Sequence, residues 1–238
     1  MLSYNTIISL STYHIIYGYS LMIVAVVGEK GGTGKTTLAT NLAGMRAAEG
    51  RDVLLLDADR QGSASYWAEK RSDTHADVPA VQSVQKFGEG LMRTVQDMAR
   101  RYTDILIDAG AGDTREVESA LRVAEIALIP VQPAGLDVWT LGLMDDRVGE
   151  ALTVNPTLVA YVVLNRTSAN PRDTDADEAR EAIGGCAHLQ LADGMICDRV
   201  AVKRAAPAGL TVMEYKPFDP KAAHELQQLY EVIFSNRR

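Results

Sequence analysis

Glu29-Lys30-Gly31-Gly32-Thr33-Gly34-Lys35-Thr36-Thr37 follows the apolar run Met22-Ile23-Val24-Ala25-Val26-Val27, and helical apolar spacing opens directly behind it at Leu38. Buried strand, glycine-rich turn and helix form the context in which such a string binds phosphate. Glycine reaches positive φ and lets backbone N–H groups converge on an anion with no Cβ in the way. A helix starting here adds unpaired N–H groups and the positive end of its dipole. The Lys35 ammonium is placed for the β- and γ-phosphates of a nucleotide, and the Thr36 hydroxyl for Mg2+. Gly31, Gly32, Thr33, Gly34 and Thr37 complete the cradle. A glycine-rich turn with a chance Gly-Lys-Thr is the bland alternative, and the flanking strand and helix argue against it.

Composition bounds the rest. With 238 residues, 47% of them hydrophobic, the chain is long enough for one large α/β domain with a substantial core. A net charge of −7 excludes a protein coated in basic surface, so nucleic-acid contact requires a local patch. Cys186 and Cys197 lack C-x-x-C spacing and the histidines are scattered, which fits reduced thiols in a cytosolic protein and no metal cluster. Residues 1–21 carry no Lys or Arg and no small-residue cleavage site, and polar residues interrupt them throughout. Neither a secretory signal nor a transmembrane span fits. The expectation is a dispensable extension or an added strand, with the P-loop domain over 22–238.

Apolar runs and periodicity predict further elements in order. Val53–Asp57 reads as a second buried strand, and a third lies near Val78–Val84. A helix from Gly90 to Arg101 leads into the strand Ile105–Asp108, and another helix runs through Ala124. Strands at Ile126–Pro130 and Val159–Leu164 flank a helix around Leu136–Leu152. A strand near Gly194–Cys197, a basic helical stretch, a turn at Pro207–Gly209 and a helix from Pro220 to Phe234 close the chain. Continuous apolar strands alternating with helices predict a single doubly wound, mostly parallel sheet with helices on both faces.

Ligands in such a sheet sit at the carboxyl ends of strands, where Asp57, Asp59 and Asp108 fall. Asp108 ends an apolar run, the position of a carboxylate that reaches Mg2+ through its water shell. The glycine-rich loop departs from the plain Walker pattern: Glu29 replaces the first glycine, and a second lysine, Lys30, precedes Lys35 by five residues. This Lys-Gly-Gly-x-Gly-Lys-Thr-Thr string resembles the deviant Walker A loop of the ParA/MinD group of P-loop ATPases, and the resemblance extends over residues 22 to about 234. Two lysines in one loop repel unless phosphate oxygens compensate them. In the resembled group the signature lysine, here Lys30, reaches across an ATP-bound sandwich dimer to the partner's nucleotide.

The resemblance implies more. Asp57-Ala58-Asp59-Arg60-Gln61-Gly62 matches the group's Asp-x-Asp-Pro-Gln-Gly run with Arg60 in place of proline. It makes Asp57 a metal-shell residue beside Thr36 and Asp108. Asp59 becomes the residue that orients or deprotonates the attacking water, catalytic together with Lys30 and Lys35. Asp108-Ala109-Gly110-Ala111-Gly112 departs from the usual Asp-Thr-Pro-Pro and leaves the contacts of this loop open. Val163-Leu164-Asn165-Arg166 resembles the adenine-contacting segment, although Asn165 also suits an ordinary turn.

From Arg199 onward seven basic side chains face four acidic ones. By resemblance, Arg199, Lys203 and Arg204 form a patch for DNA without sequence preference, with a solvated helix face as the alternative. The implied protein uses ATP and Mg2+, forms a homodimer with ATP and is nucleoid-associated in the cytoplasm without stable membrane attachment. A ParB-like or adaptor protein stimulates its hydrolysis. Plasmid partition is the first reading, and a positioner of a protein cluster or microcompartment carries the same motifs. A MinD-like membrane ATPase requires Leu226, Leu229, Tyr230, Ile233 and Phe234 to face lipid, whereas a docked core helix explains their spacing more simply. An iron–sulphur reductase of this fold needs cysteines earlier in the chain, and nothing reads as the substrate pocket of a small-molecule ligase.

Overall fold

The computed structural model describes residues 21–235 except Glu89, Asp113, Asp137, Pro171 and Asp173. The extension therefore lies outside the described residues, apart from Leu21. Among the described residues eight strands form one sheet: β1 (Met22–Val26), β2 (Val53–Ala58), β3 (Gln82–Gln85), β4 (Asp104–Ala109), β5 (Ile126–Val131), β6 (Val159–Thr167), β7 (Leu189–Leu191) and β8 (Ile196–Cys197). Their order is β3-β2-β4-β1-β5-β6-β7, with β8 also paired to β6, and every pairing is parallel.

Strand alternation explains why the runs are continuously apolar. Val24 and Val26 pack on one face with Leu55, Leu106 and the helices α1 (Lys35–Ala48), α2 (Ser63–Thr74), α7 (Val200–Ala205) and α8 (Pro220–Phe234). Ile23 and Ala25 pack on the other face with Leu54, Ile105 and the helices α3 (Gly90–Met98), α4 (Thr114–Leu121), α5 (Val138–Leu152) and α6 (Asp175–Gly184). Both faces are dry, which is the condition under which a parallel strand loses its polar alternation.

Three differences from the sequence reading have physical causes. The reading passes over α2, whose inward positions are Ala64, Trp67, Ala68 and Arg71. The spacing is helical, but a charged residue completes the stripe and hides it. Arg71 is fully buried because Glu214 takes both terminal nitrogens, at 2.6 and 2.8 Å, and the Pro79 carbonyl takes Nε at 2.7 Å. Secondly, β3 begins four residues later than the apolar signal at Val78, as an edge strand of mostly exposed polar residues. Thirdly, α1 begins at Lys35, a full turn before the apolar spacing opens at Leu38.

The last helix matches its expected bounds. Leu226, Leu229, Tyr230, Ile233 and Phe234 are all buried in the core, and Asp219 caps the helix by accepting from the backbone N–H groups of Lys221 and Ala222 at 3.0 and 3.1 Å. Asp219→Ala is expected to destabilise the fold by about 1 kcal/mol, read as a lower urea midpoint with unchanged slope.

Candidate nucleotide-binding site

The order β2-β4-β1 brings three strand ends side by side. Asp57 pairs in register with Asp108, and Asp108 with Val26, so the glycine loop leaves the sheet beside both acids. Gly34 caps α1 with φ +101°, no side chain caps the helix, and its first turn holds no acidic residue. The backbone N–H groups of that turn are thus left for an anion.

Inside the loop Lys35 is buried, and its Nζ donates to the Lys30 carbonyl at 2.9 Å. Burial lowers its pKa, and the nearby Asp108, Asp59 and Glu29 carboxylates oppose that shift. The Thr36 hydroxyl donates to Asp108 Oδ2 at 2.6 Å. Gln132, at the end of β5, donates from Nε2 to the Gly32 carbonyl at 2.9 Å.

The acids differ in environment. Asp108 is buried, and desolvation lifts its pKa to about 7; the Thr36 hydroxyl opposes the shift while the charges of Asp57 and Asp59 add to it. Asp57 is also buried and raised by desolvation, although its oxygens accept from the Asp59 and Ser65 N–H groups at 3.1 and 2.8 Å. Asp59 is half-buried, and Gly110 lies so close that a Cβ there would stand 3.2 Å from its Cγ. Hydroxyl and carboxylate oxygens clustered beside an open helix start suit a hard divalent cation arriving with phosphate. Among the described residues no group of three His, Cys, Asp or Glu side chains is arranged to hold a metal by itself.

Asn165 is buried, and its Nδ2 donates to the Thr33 carbonyl at 2.6 Å. Its Oδ1 is buried with no partner among the described residues. The residue therefore braces the loop and keeps an acceptor in reserve. Arg166 beside it is exposed and takes a positive φ of 54°, uncommon outside glycine. The residues proposed for DNA separate. Arg199 forms a bidentate pair with Glu225 at 2.6–3.0 Å, Lys203 pairs with Asp198 at 2.7 Å, and Arg204 is exposed.

Sequence reasoning missed Gln132 and a pair formed by Glu29 with Arg147 of α5. A search of strand ends for amides as well as carboxylates finds Gln132. Nothing in the spacing of Glu29 and Arg147 signals their contact.

A parallel sheet whose central strand feeds a glycine-capped helix, flanked by acids on the adjoining strand ends, defines a P-loop nucleotide-binding protein. Residues 24–212 match the family model described as the CobQ/CobB/MinD/ParA nucleotide binding domain, and the chain belongs to that family. It is 32% identical over 196 residues to maintenance of carboxysome distribution protein A of Gloeobacter kilaueensis, covering 82% of this chain and 85% of that one. The protein of the same name from Halothiobacillus neapolitanus is 29% identical over 214 residues, covering 88% and 95%. Among solved structures, the septum site-determining protein MinD of Pyrococcus horikoshii, complexed with Mg-ADP, superposes with a TM-score of 0.67 at 22% identity, covering 91% of this chain and 97% of that one.

Proposed function

We propose that this chain is an ATP-dependent positioning ATPase. Two copies close on two ATP molecules, the closed dimer holds DNA without sequence preference, and partner-stimulated hydrolysis releases it. The division of labour between two lysines carries the reading. Lys35 is buried and committed within the loop, whereas Lys30 is exposed at the rim and makes no ion pair among the described residues. An uncommitted cation beside a phosphate site suits an anion brought from outside, and a second copy's triphosphate is one.

Within each copy the loop N–H groups and Lys35 hold the β- and γ-phosphates and take up charge as the terminal bond breaks. Thr36 directly, and Asp57 and Asp108 through water, would hold Mg2+, which when bound neutralises phosphate charge and orients the transferred group. Asp59, held beside Gly110, orients the attacking water. Asn165, through its unpartnered Oδ1, and the exposed Arg166 are the candidates for the adenine end of the nucleotide.

The carboxysome-distribution relatives favour a protein assembly over a plasmid as cargo. No described helix is long and apolar enough to cross a membrane, and the buried face of α8 favours DNA over lipid as the surface engaged. With Arg199 and Lys203 paired internally, Arg204 is the basic residue of the trio best placed for phosphate.

The test is ATP turnover and oligomeric state with and without DNA. Wild type should hydrolyse ATP slowly, dimerise with ATP and sediment with plasmid DNA but not with anionic vesicles. Lys30→Ala should bind ATP yet lose the ATP-dependent dimer. Full dimerisation of that variant would refute the cross-subunit role.

A further inference from the structure

Glu29 is an awkward neighbour for a triphosphate. It occupies the first position of the loop, next to Lys30, and is close enough for its charge to act on Lys35. An unopposed carboxylate there would repel the ligand and draw off the cations meant for it. Its oxygen Oε1 instead meets Arg147 Nε at 3.1 Å, with both side chains only 17% exposed. Nη2 of the same guanidinium donates to the Thr114 hydroxyl at 3.2 Å, at the start of α4. That helix follows the loop after β4, whose Ala111 lies against Gly31 of the glycine loop. The third nitrogen, Nη1, is buried with no partner among the described residues. A half-dry arginine with an orphaned donor is unfavourable as packing alone.

We propose that Arg147 is a positioning residue that masks Glu29: it holds that carboxylate away from the phosphates and leaves Lys30 uncommitted, while Thr114 fixes the guanidinium to the element behind the neighbouring loop. The inference rests on the nucleotide-site reading above. It deepens that reading by assigning a role to two residues outside the phosphate-binding motif. Its chemistry is electrostatic, so salt weakens the repulsion that an unmasked Glu29 exerts on phosphate, although less than for a fully exposed charge.

The test is a double-mutant cycle read by titration with a fluorescent ATP analogue plus Mg2+ at low and high salt. Arg147→Met should bind about tenfold more weakly at low salt, within the range found for residues in direct contact, and the deficit should shrink at high salt. Glu29→Gln should bind within about twofold of wild type, and Glu29→Gln with Arg147→Met should recover most of the lost affinity. Equal binding by Arg147→Met and wild type overturns the proposal. A deficit that neither Glu29→Gln nor salt relieves makes Arg147 a packing residue and also overturns it. Should Arg147→Met not fold, Arg147→Lys takes its place: it retains a cation without the forked contact to Thr114 and should bind between the two extremes. Failure of wild type itself to bind the analogue would instead sink the nucleotide-site reading.

Discussion

Asp108→Asn is expected to stabilise the nucleotide-free protein at pH 8 while lowering ATP hydrolysis about ten- to a hundredfold. Burial, with the Asp57 and Asp59 charges adding to it, lifts the Asp108 carboxyl to about 7 in the folded chain, against about 3.9 when unfolded. Between those values the folded chain keeps a proton that the unfolded chain has released. Stability therefore falls as pH rises through that window, and the penalty is complete above it. The full span corresponds to a few kcal/mol, at about 1.4 kcal/mol per unit. Asparagine has no proton to lose, and its side-chain oxygen still accepts from Thr36. The gain should thus be about 2–4 kcal/mol at pH 8 and close to nothing at pH 4. Urea unfolding of metal-free protein at the two pH values checks this. An equal gain at both would show that the ionised carboxylate is not the source. Asp57, also raised by burial, works in the same direction and stays in place in the variant. A carboxylate kept at a stability cost in the empty protein is expected where its charge is used only once ligand arrives.

The strands around that acid were legible because burial on both faces leaves a run such as Val53–Leu56 with no polar residue to confuse it. The glycine loop was legible for the opposite reason: its residues are dictated by backbone geometry and charge, not by packing. What escaped lies where one residue type serves an unusual role. Arg71 completes an apolar stripe because Glu214, 143 residues away, neutralises it. The start of α1 was read late because Lys35, Thr36 and Thr37 are polar, yet they form its first turn. Arg147 and Glu29, and equally Arg199 and Glu225, meet only through the fold. A count of basic residues in the sequence sees Arg199 and Lys203 as free charge, whereas the folded chain spends both on nearby acids. Asn165 was legible as an amide with two faces, but not that one of them braces the glycine loop.

That brace makes Gly34→Ala the most damaging single methyl group in the site. Two effects act together there. Gly34 holds φ +101°, where an L-residue is strained by roughly 1–2 kcal/mol. Its new Cβ would also overlap Asn165 Nδ2, which donates to the Thr33 carbonyl at 2.6 Å. Asn165 must then swing away. Its Oδ1 is already without a partner among the described residues, so displacement orphans the rest of the amide and frees the Thr33 carbonyl. A buried polar group left unmet costs about 1–3 kcal/mol. Together these should weaken ATP binding about a hundred- to thousandfold. Gly32→Ala separates the two effects, since Gly32 has φ +76° and, among the described residues, nothing within 4 Å of its would-be Cβ; it should lose only about tenfold, from backbone strain. Adding Asn165→Ala to Gly34→Ala removes the overlap but also the bond to the Thr33 carbonyl, so the double variant should bind no better than Gly34→Ala. Titration with a fluorescent ATP analogue, alongside thermal unfolding to verify the fold, distinguishes these outcomes. If Gly34→Ala binds no worse than Gly32→Ala, the Asn165 brace does not hold the loop in its binding shape.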